Sequence, residues 1–115
     1  MKTTKADFRL FKETFLMWQQ RLGLTQYDVV FQHVEIDGRY AEITIQQLGK
    51  LATVRLNSDT GNEYLETDVR THAKHEAMHL LLSRLAWLGQ TRYLENHDLE
   101  EEEEAIVRRL EKVLV

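Results

Sequence analysis

The spacing of apolar residues changes twice along this chain, and the change limits the folds that it can adopt. Between residues 4 and 22, apolar side chains recur at three- and four-residue steps, which predicts a helix. Three runs that alternate apolar and polar residues follow, and they predict strands. Helical spacing then returns from residue 71 onward. The order predicts an α+β fold with an N-terminal helix, a three-stranded sheet and two further helices.

The first helix should begin after Thr4, a suitable N-cap, and end at Gly23, a suitable terminator. Its apolar stripe is aromatic, and such spacing is typical of a core that packs on a sheet. The stripe consists of Phe8, Phe11, Phe15, Trp18 and Leu22. Two further helices are predicted at 71–88, which ends before Gly89, and at 99–114.

The three predicted strands are Tyr27 to Ile36, Tyr40 to Gln47 and Leu51 to Asn57. The pair Asp37-Gly38 separates the first two runs and is typical of a tight hairpin turn. We therefore expect an antiparallel three-stranded sheet with one buried and one wet face.

Length and composition limit the functions and the metal ligands that we expect of this chain. At 115 residues the chain should form one domain, residues 1–115, and its net charge of −4 gives no basic excess for binding nucleic acid. No signal peptide or membrane span is evident, so we expect a cytoplasmic protein that makes no contact with a membrane. Because cysteine is absent, any metal must be held by His, Asp or Glu.

The second predicted helix carries the sequence His75-Glu76-Ala77-Met78-His79, an HExxH motif. Residues four apart on a helix lie one above the other, so the two imidazoles project from one face with a carboxylate beside them. His75 and His79 are therefore candidate Zn²⁺ ligands. Glu76 is rotated by about 100° from His75 and is the candidate general base that acts on a metal-activated water. The apolar positions Met78, Leu81, Leu82, Leu85 and Leu88 place the two histidines at the border of the buried stripe.

A catalytic zinc site uses three protein ligands, and the last helix offers five consecutive glutamates, Glu100 to Glu104. Most of them should be solvated near the helix N-terminus. Helical spacing puts Glu103 on the same stripe as Ile106 and Leu110, where an unpaired carboxylate would be costly to bury. Glu103 is thus one candidate third ligand.

The HExxH motif, followed some two dozen residues later by glutamate on a second helix, resembles the gluzincins. The element order is similar to that of their smallest single-domain members, the minigluzincin type, and of compact zincin-like proteins of which some are encoded by phages. The resemblance implies a zincin-like minimal fold. In gluzincins the third-ligand glutamate is often followed by alanine, which points to Glu104 before Ala105. Both Glu103 and Glu104 stay open, with Glu100 a weaker alternative. A rival resemblance to SprT-like zincins would make His97 the third ligand.

The function expected from these features is hydrolysis of peptide bonds by a zinc metalloendopeptidase, with a peptide or protein as substrate. The edge of the run Leu51 to Asn57 is the expected platform for an extended substrate. An oxyanion donor is also required, and Tyr64, Arg92, Tyr93 and His97 are the candidates.

Two alternatives stay open. One is a catalytically inactive or latent zinc-binding module that serves a phage or host regulatory interaction; an intact Glu76 counts against it. The other is a metal-free helical interaction protein whose histidines are incidental. Oligomeric state, substrate and cleavage preference do not follow from the sequence.

Overall fold

The structure is a computed structural model that describes residues 2–61, 68–90 and 96–113. It has the predicted α+β composition, with an N-terminal helix, a three-stranded sheet and two C-terminal helices. The elements in chain order are α1 (Lys5–Arg21), β1 (Asp28–Val34), β2 (Ala41–Gln46), β3 (Leu51–Asn57), α2 (Val69–Gly89) and α3 (Asn96–Val113). Within the described ranges, no helix combines the length and the apolar character needed to cross a membrane.

Helix α1 has the termini that its sequence predicts. The Thr4 side chain accepts a hydrogen bond from the backbone N–H of Asp7 at 3.0 Å, and the Asp7 carboxylate accepts one from the Thr4 N–H at 2.8 Å. This reciprocal capping box satisfies two of the N–H groups that a helix start leaves without partners. At the other end Gly23 has φ +68°, a left-handed conformation that glycine adopts without strain.

The sheet differs from the predicted one in its order. The strands lie in the order β1-β3-β2, with β1 parallel to β3 and β2 antiparallel to β3. The expected hairpin at Asp37-Gly38 and the all-antiparallel pairing are therefore wrong. The expected platform is wrong as well, because Leu51–Asn57 is the central strand and has both of its edges paired.

The physical reason lies in β3 and in the residue that ends it. Ala52, Val54 and Leu56 are fully buried, and β3 is the most buried of the three strands, as its place in the middle of the sheet requires. Asn57, expected on the wet face, is only 2% exposed. Its side-chain amide donates to the carbonyl oxygens of Ile36 and Arg39, each at 2.6 Å. These bonds hold the connection from β1 to β2 across the end of β3, so β2 pairs on the far side.

The core lies between the apolar face of the sheet and helices α1 and α2. Phe11, Phe15 and Leu22 of the predicted α1 stripe are fully buried, while Phe8 and Trp18 pack at its border. The buried positions of α2 differ from the predicted stripe: Leu82 is 47% exposed, and Ala73, Ala77 and Leu80 are buried instead. Strand β2, at one edge of the sheet, packs beside α2.

Candidate metal centre

Helix α2, which carries the HExxH motif, is anchored at its first turn. The carboxylate of the N-cap residue Asp68 accepts a hydrogen bond from the Arg70 N–H at 2.9 Å. The Arg70 guanidinium pairs with the same carboxylate at 3.0 Å. These hydrogen bonds hold the pKa of Asp68 below its ordinary value. The helix then runs without interruption through the motif to Gly89.

The two motif histidines converge on one point. The Nε2 atoms of His75 and His79 lie 3.1 Å apart, with ring centroids 4.7 Å apart and planes at 79°. Two nitrogens bound to a tetrahedral zinc at about 2.0–2.1 Å lie about 3.3 Å from each other. The imidazoles therefore stand close to the spacing that a shared metal ion requires. In the metal-free protein, one N–H···N hydrogen bond accounts for the same contact.

Glu76 completes a cluster of three potential ligands. Its carboxylate and the two imidazoles offer atoms that all lie within 4.8 Å of one another, close enough to bind one metal ion. The histidines are exposed, whereas Glu76 is only 5% exposed. In the part of the chain that the structure describes, the Glu76 carboxylate forms no hydrogen bond or ion pair.

Burial and neighbouring charges shift the pKa of the Glu76 carboxyl. Burial raises the pKa of the Glu76 carboxyl, and the charge of Glu42 acts in the same direction. The charges of His79, His75 and Arg39 oppose this shift and favour the carboxylate. The cluster thus combines a buried carboxyl of raised pKa with two converging imidazoles.

Two pockets flank the cluster, and Arg39, Glu76 and His79 line both of them. The first, of about 390 Å³, lies between β2 and the second half of α2 and has Ile45 and Trp87 in its apolar wall. The second, of about 550 Å³, lies over the first turns of α2. Together they form a cleft that passes through the three shared residues.

The second pocket contains an aromatic stack that the sequence did not indicate. Tyr40 and His72 lie with ring centroids 3.9 Å apart and planes at 15°. Burial raises the pKa of Tyr40 and lowers that of His72, and the charge of His75 lowers the latter further. His72 thus lines the pocket beside the motif. Neither Arg39 nor Tyr40 was expected in the site, because Arg39 lies between the presumed turn and the second predicted strand, and Tyr40 was expected only as the first residue of that strand.

The structure does not bring the predicted third ligands to the histidine pair. Glu103 and Glu104 are exposed, and Glu104 pairs with Arg108 at 3.5 Å. Neither belongs to the ligand cluster found among the described residues. Helix α3 contacts α2 through Glu102, which pairs with Arg84 at 3.2 Å. On an ideal helix, Arg84 projects about 140° away from His79, so α3 packs on another side of α2.

The other candidate third ligands and oxyanion donors are also not found in the cluster of described residues. Glu100 is exposed and is not part of the cluster. His97 is largely exposed and pairs with Asp98 at 3.4 Å, away from the motif cluster. Of the predicted oxyanion donors, Tyr64, Arg92 and Tyr93 lie outside the described residues.

Comparison of the chain with protein-family models, with curated proteins and with solved structures finds no match. The functional assignment therefore depends on the geometry of the cluster and its cleft.

Proposed function

We propose that this chain is a minimal zincin-like metallopeptidase that hydrolyses peptide bonds with the help of a zinc ion. The observation that carries the proposal is the convergence of the His75 and His79 Nε2 atoms, 3.1 Å apart, beside a buried carboxylate without a partner in the described structure. A carboxylate is costly to bury without a partner, and a structural metal site has no need of this one. A role as general base would explain why this carboxylate is buried beside the two histidines.

The donor set suits zinc. Imidazole nitrogen is a ligand that zinc prefers, and the two-histidine helical spacing is that of hydrolytic zinc sites. When bound, the ion supplies a Lewis acid that polarises a carbonyl and makes a water molecule more acidic. His75 and His79 would hold it, with solvent or a further donor completing its coordination.

Glu76 would move the proton. Within a cluster that spans 4.8 Å, its carboxylate is near enough to take a proton from a water molecule placed over the imidazoles. The attacking oxygen then adds to the peptide carbonyl carbon. When the C–N bond breaks, Glu76 returns the proton to the leaving nitrogen.

The substrate would lie in the cleft between β2 and α2. Strand β2 pairs only with β3 among the described strands, so its outer edge is available to an extended peptide. Its residues Ile43 and Ile45 line the same pocket as Glu76 and His79. β2 therefore replaces Leu51–Asn57 as the proposed platform.

Metal content tests the site directly. The purified protein and the variants His79→Ala and His97→Ala are loaded with zinc, dialysed, and analysed for bound metal. We expect one zinc per chain in the wild type and in His97→Ala, and a loss of zinc in His79→Ala. Equal zinc content in wild type and His79→Ala would refute the site, and loss in His97→Ala would favour the SprT-like ligand set.

A peptide-library cleavage assay tests the activity. We expect cleavage by wild type, and none by Glu76→Gln at unchanged zinc content, because glutamine cannot accept the proton. Cleavage retained in Glu76→Gln would refute the assignment of the base.

A zinc-binding interaction module without turnover is the second candidate. One observation favours it: among the described residues, no third protein ligand other than Glu76 approaches the histidines. A wild-type protein that holds zinc but cleaves no member of the library would support this alternative.

A further inference from the structure

Arg39 occupies a distinctive place in the cleft. It lines both pockets that flank the motif, and it shares this position only with Glu76 and His79 among their described lining residues. Its charge reaches Glu76 and favours the ionised form of that carboxyl. Arg39 therefore lines the cleft where it passes Glu76 and His79.

Asn57 holds the backbone at Arg39 and at the residue that follows it. Its carbonyl oxygen accepts a hydrogen bond of 2.6 Å from the buried Asn57 side chain. The carbonyl oxygen of the next residue, Tyr40, accepts one of 2.8 Å from the Asn57 N–H. The Tyr40 ring is itself stacked on His72 of α2. The base of the Arg39 side chain is thus fixed relative to the motif helix, as a preorganised group requires.

The guanidinium of Arg39 is available to a ligand. It forms no ion pair or side-chain hydrogen bond within the described part of the chain, although Glu42 lines one of the same pockets. Glu42 instead pairs with Arg55 at 3.3 Å, and Arg55 also donates to Gln32 at 2.9 Å. The nearby acid is therefore engaged by another arginine, which leaves Arg39 free for an anion in the cleft.

We propose that Arg39 is the oxyanion-binding residue of this site, an inference that rests on the proposed peptidase function. When the water oxygen adds to the carbonyl carbon, the π electron pair moves to the carbonyl oxygen, which becomes an oxyanion. The Arg39 guanidinium donates hydrogen bonds to that oxygen and stabilises its charge. As the C–N bond breaks, the electron pair returns to re-form the carbonyl, and the interaction weakens. A group that binds the transition state more tightly than the substrate raises the rate.

The first experiment compares Arg39→Ala and Arg39→Lys with the matched control Arg9→Ala, an exposed arginine of α1. Each is assayed with a peptide that the wild type cleaves. We expect kcat of Arg39→Ala to fall by about 10²- to 10³-fold, as for loss of one oxyanion donor, with KM and zinc content nearly unchanged. Arg39→Lys should recover part of the rate, since it keeps the charge and loses the planar guanidinium. Arg9→Ala should behave as wild type.

The second experiment measures binding without turnover. The probe is the same peptide with a phosphonate in place of the scissile amide, and affinity is followed by calorimetry at pH 8. Arg39→Ala should bind the phosphonate at least tenfold more weakly. In the Glu76→Gln background, the same change should alter the affinity for the unmodified peptide by less than about threefold, because that ligand carries no oxyanion.

The results of these experiments distinguish the proposed peptidase function from the proposed role of Arg39. A wild type without zinc or cleavage refutes the peptidase function and this role with it. An active wild type whose Arg39→Ala variant cleaves like Arg9→Ala refutes only the role of Arg39. Equal losses of phosphonate and peptide affinity would make Arg39 a residue that binds the ground state, and lost zinc would make it structural; either result overturns the inference.

Discussion

Replacing Glu76 by methionine should stabilise the zinc-free protein. The side chain is 5% exposed and has no hydrogen-bond or ion-pair partner within the described structure. Burial raises its pKa, which means that the folded protein disfavours the charged form. Methionine has a similar length and helix propensity and no polar group. The variant therefore removes an uncompensated burial cost and leaves the helix intact.

The magnitude follows from the state of the carboxylate. A buried polar group left unsatisfied costs about 1–3 kcal/mol. This range is an upper bound for Glu76, because its side chain lines the cleft and the charge of Arg39 favours the carboxylate. Unfolding entropy is about 2.1 cal/mol/K per residue, so 115 residues give about 0.24 kcal/mol/K. A gain of 1–3 kcal/mol thus corresponds to a rise in Tm of about 4–12 °C.

The assay is thermal and urea unfolding in the presence of a chelator, at pH 8. The control is Glu13→Met, an exposed glutamate of α1, which should change the free energy of unfolding by no more than about 0.5 kcal/mol. A Glu76→Met variant that is no more stable than wild type would refute the conclusion that this carboxylate is buried without compensation.

The pH dependence of this effect has a definite sign. Because the pKa of Glu76 is raised in the folded state, the folded protein binds the proton more readily than the unfolded chain. The destabilisation is complete above the folded pKa and is relieved as the pH falls through it toward the unfolded value of about 4.3. The stability difference between Glu76→Met and wild type should therefore shrink on acidification. A difference that grows at low pH would contradict the reasoning.

Three further predictions concern other parts of the chain. Thr4→Ala removes one half of the capping box and should lower the free energy of unfolding by about 1 kcal/mol in urea titrations. Glu103→Gln and Glu104→Gln should leave zinc affinity nearly unchanged, because both side chains are exposed on a helix that packs away from the histidines; a loss of about tenfold or more would show that one of them is a ligand. Asp68→Asn should be less stable than wild type at pH 7, because the pairing with Arg70 lowers the pKa of Asp68 in the fold. That stabilisation is present above the unfolded pKa and is lost as the pH falls through the folded one, so the two proteins should converge on acidification below the folded pKa, as followed by circular dichroism.

The local parts of the fold were predictable from the sequence, and the strand order was not. The start of α1 depends on Thr4 and Asp7, which contact each other over three residues, so the sequence contains the whole signal. Strand order depends on which strand occupies the middle of the sheet, between the other two. Asn57 contributes to that outcome through its bonds to Ile36 and Arg39, which span 21 and 18 residues. No spacing rule identifies such contacts.

The orientation of α2 shows why the predicted site was only partly right. The stripe drawn through the large apolar residues left the histidines at its border. The buried face instead includes Ala73 and Ala77, which allow α1 to pack closely, and it is rotated by about 100° toward Glu76. Small residues contribute little to a hydrophobic pattern although they mark close helix contacts. The three motif residues form a cluster, as expected, but the sequence did not indicate that the carboxylate, rather than the imidazoles, is the buried member.

Because no α3 carboxylate belongs to the cluster of described residues, the roles open to Glu76 at a bound metal are limited. With His75, His79 and Glu76 as the ligand cluster of the described residues, Glu76 has two mutually exclusive roles, third ligand or general base. A ligating carboxylate has its charge engaged by the metal and cannot take a proton from water. Glu76→Gln separates the roles: loss of zinc together with activity identifies a ligand, whereas full zinc content without activity identifies a base. The rotation between adjacent positions on a helix favours the base, because His75 and Glu76 project about 100° apart and only the residue pair at i and i+4 shares a direction.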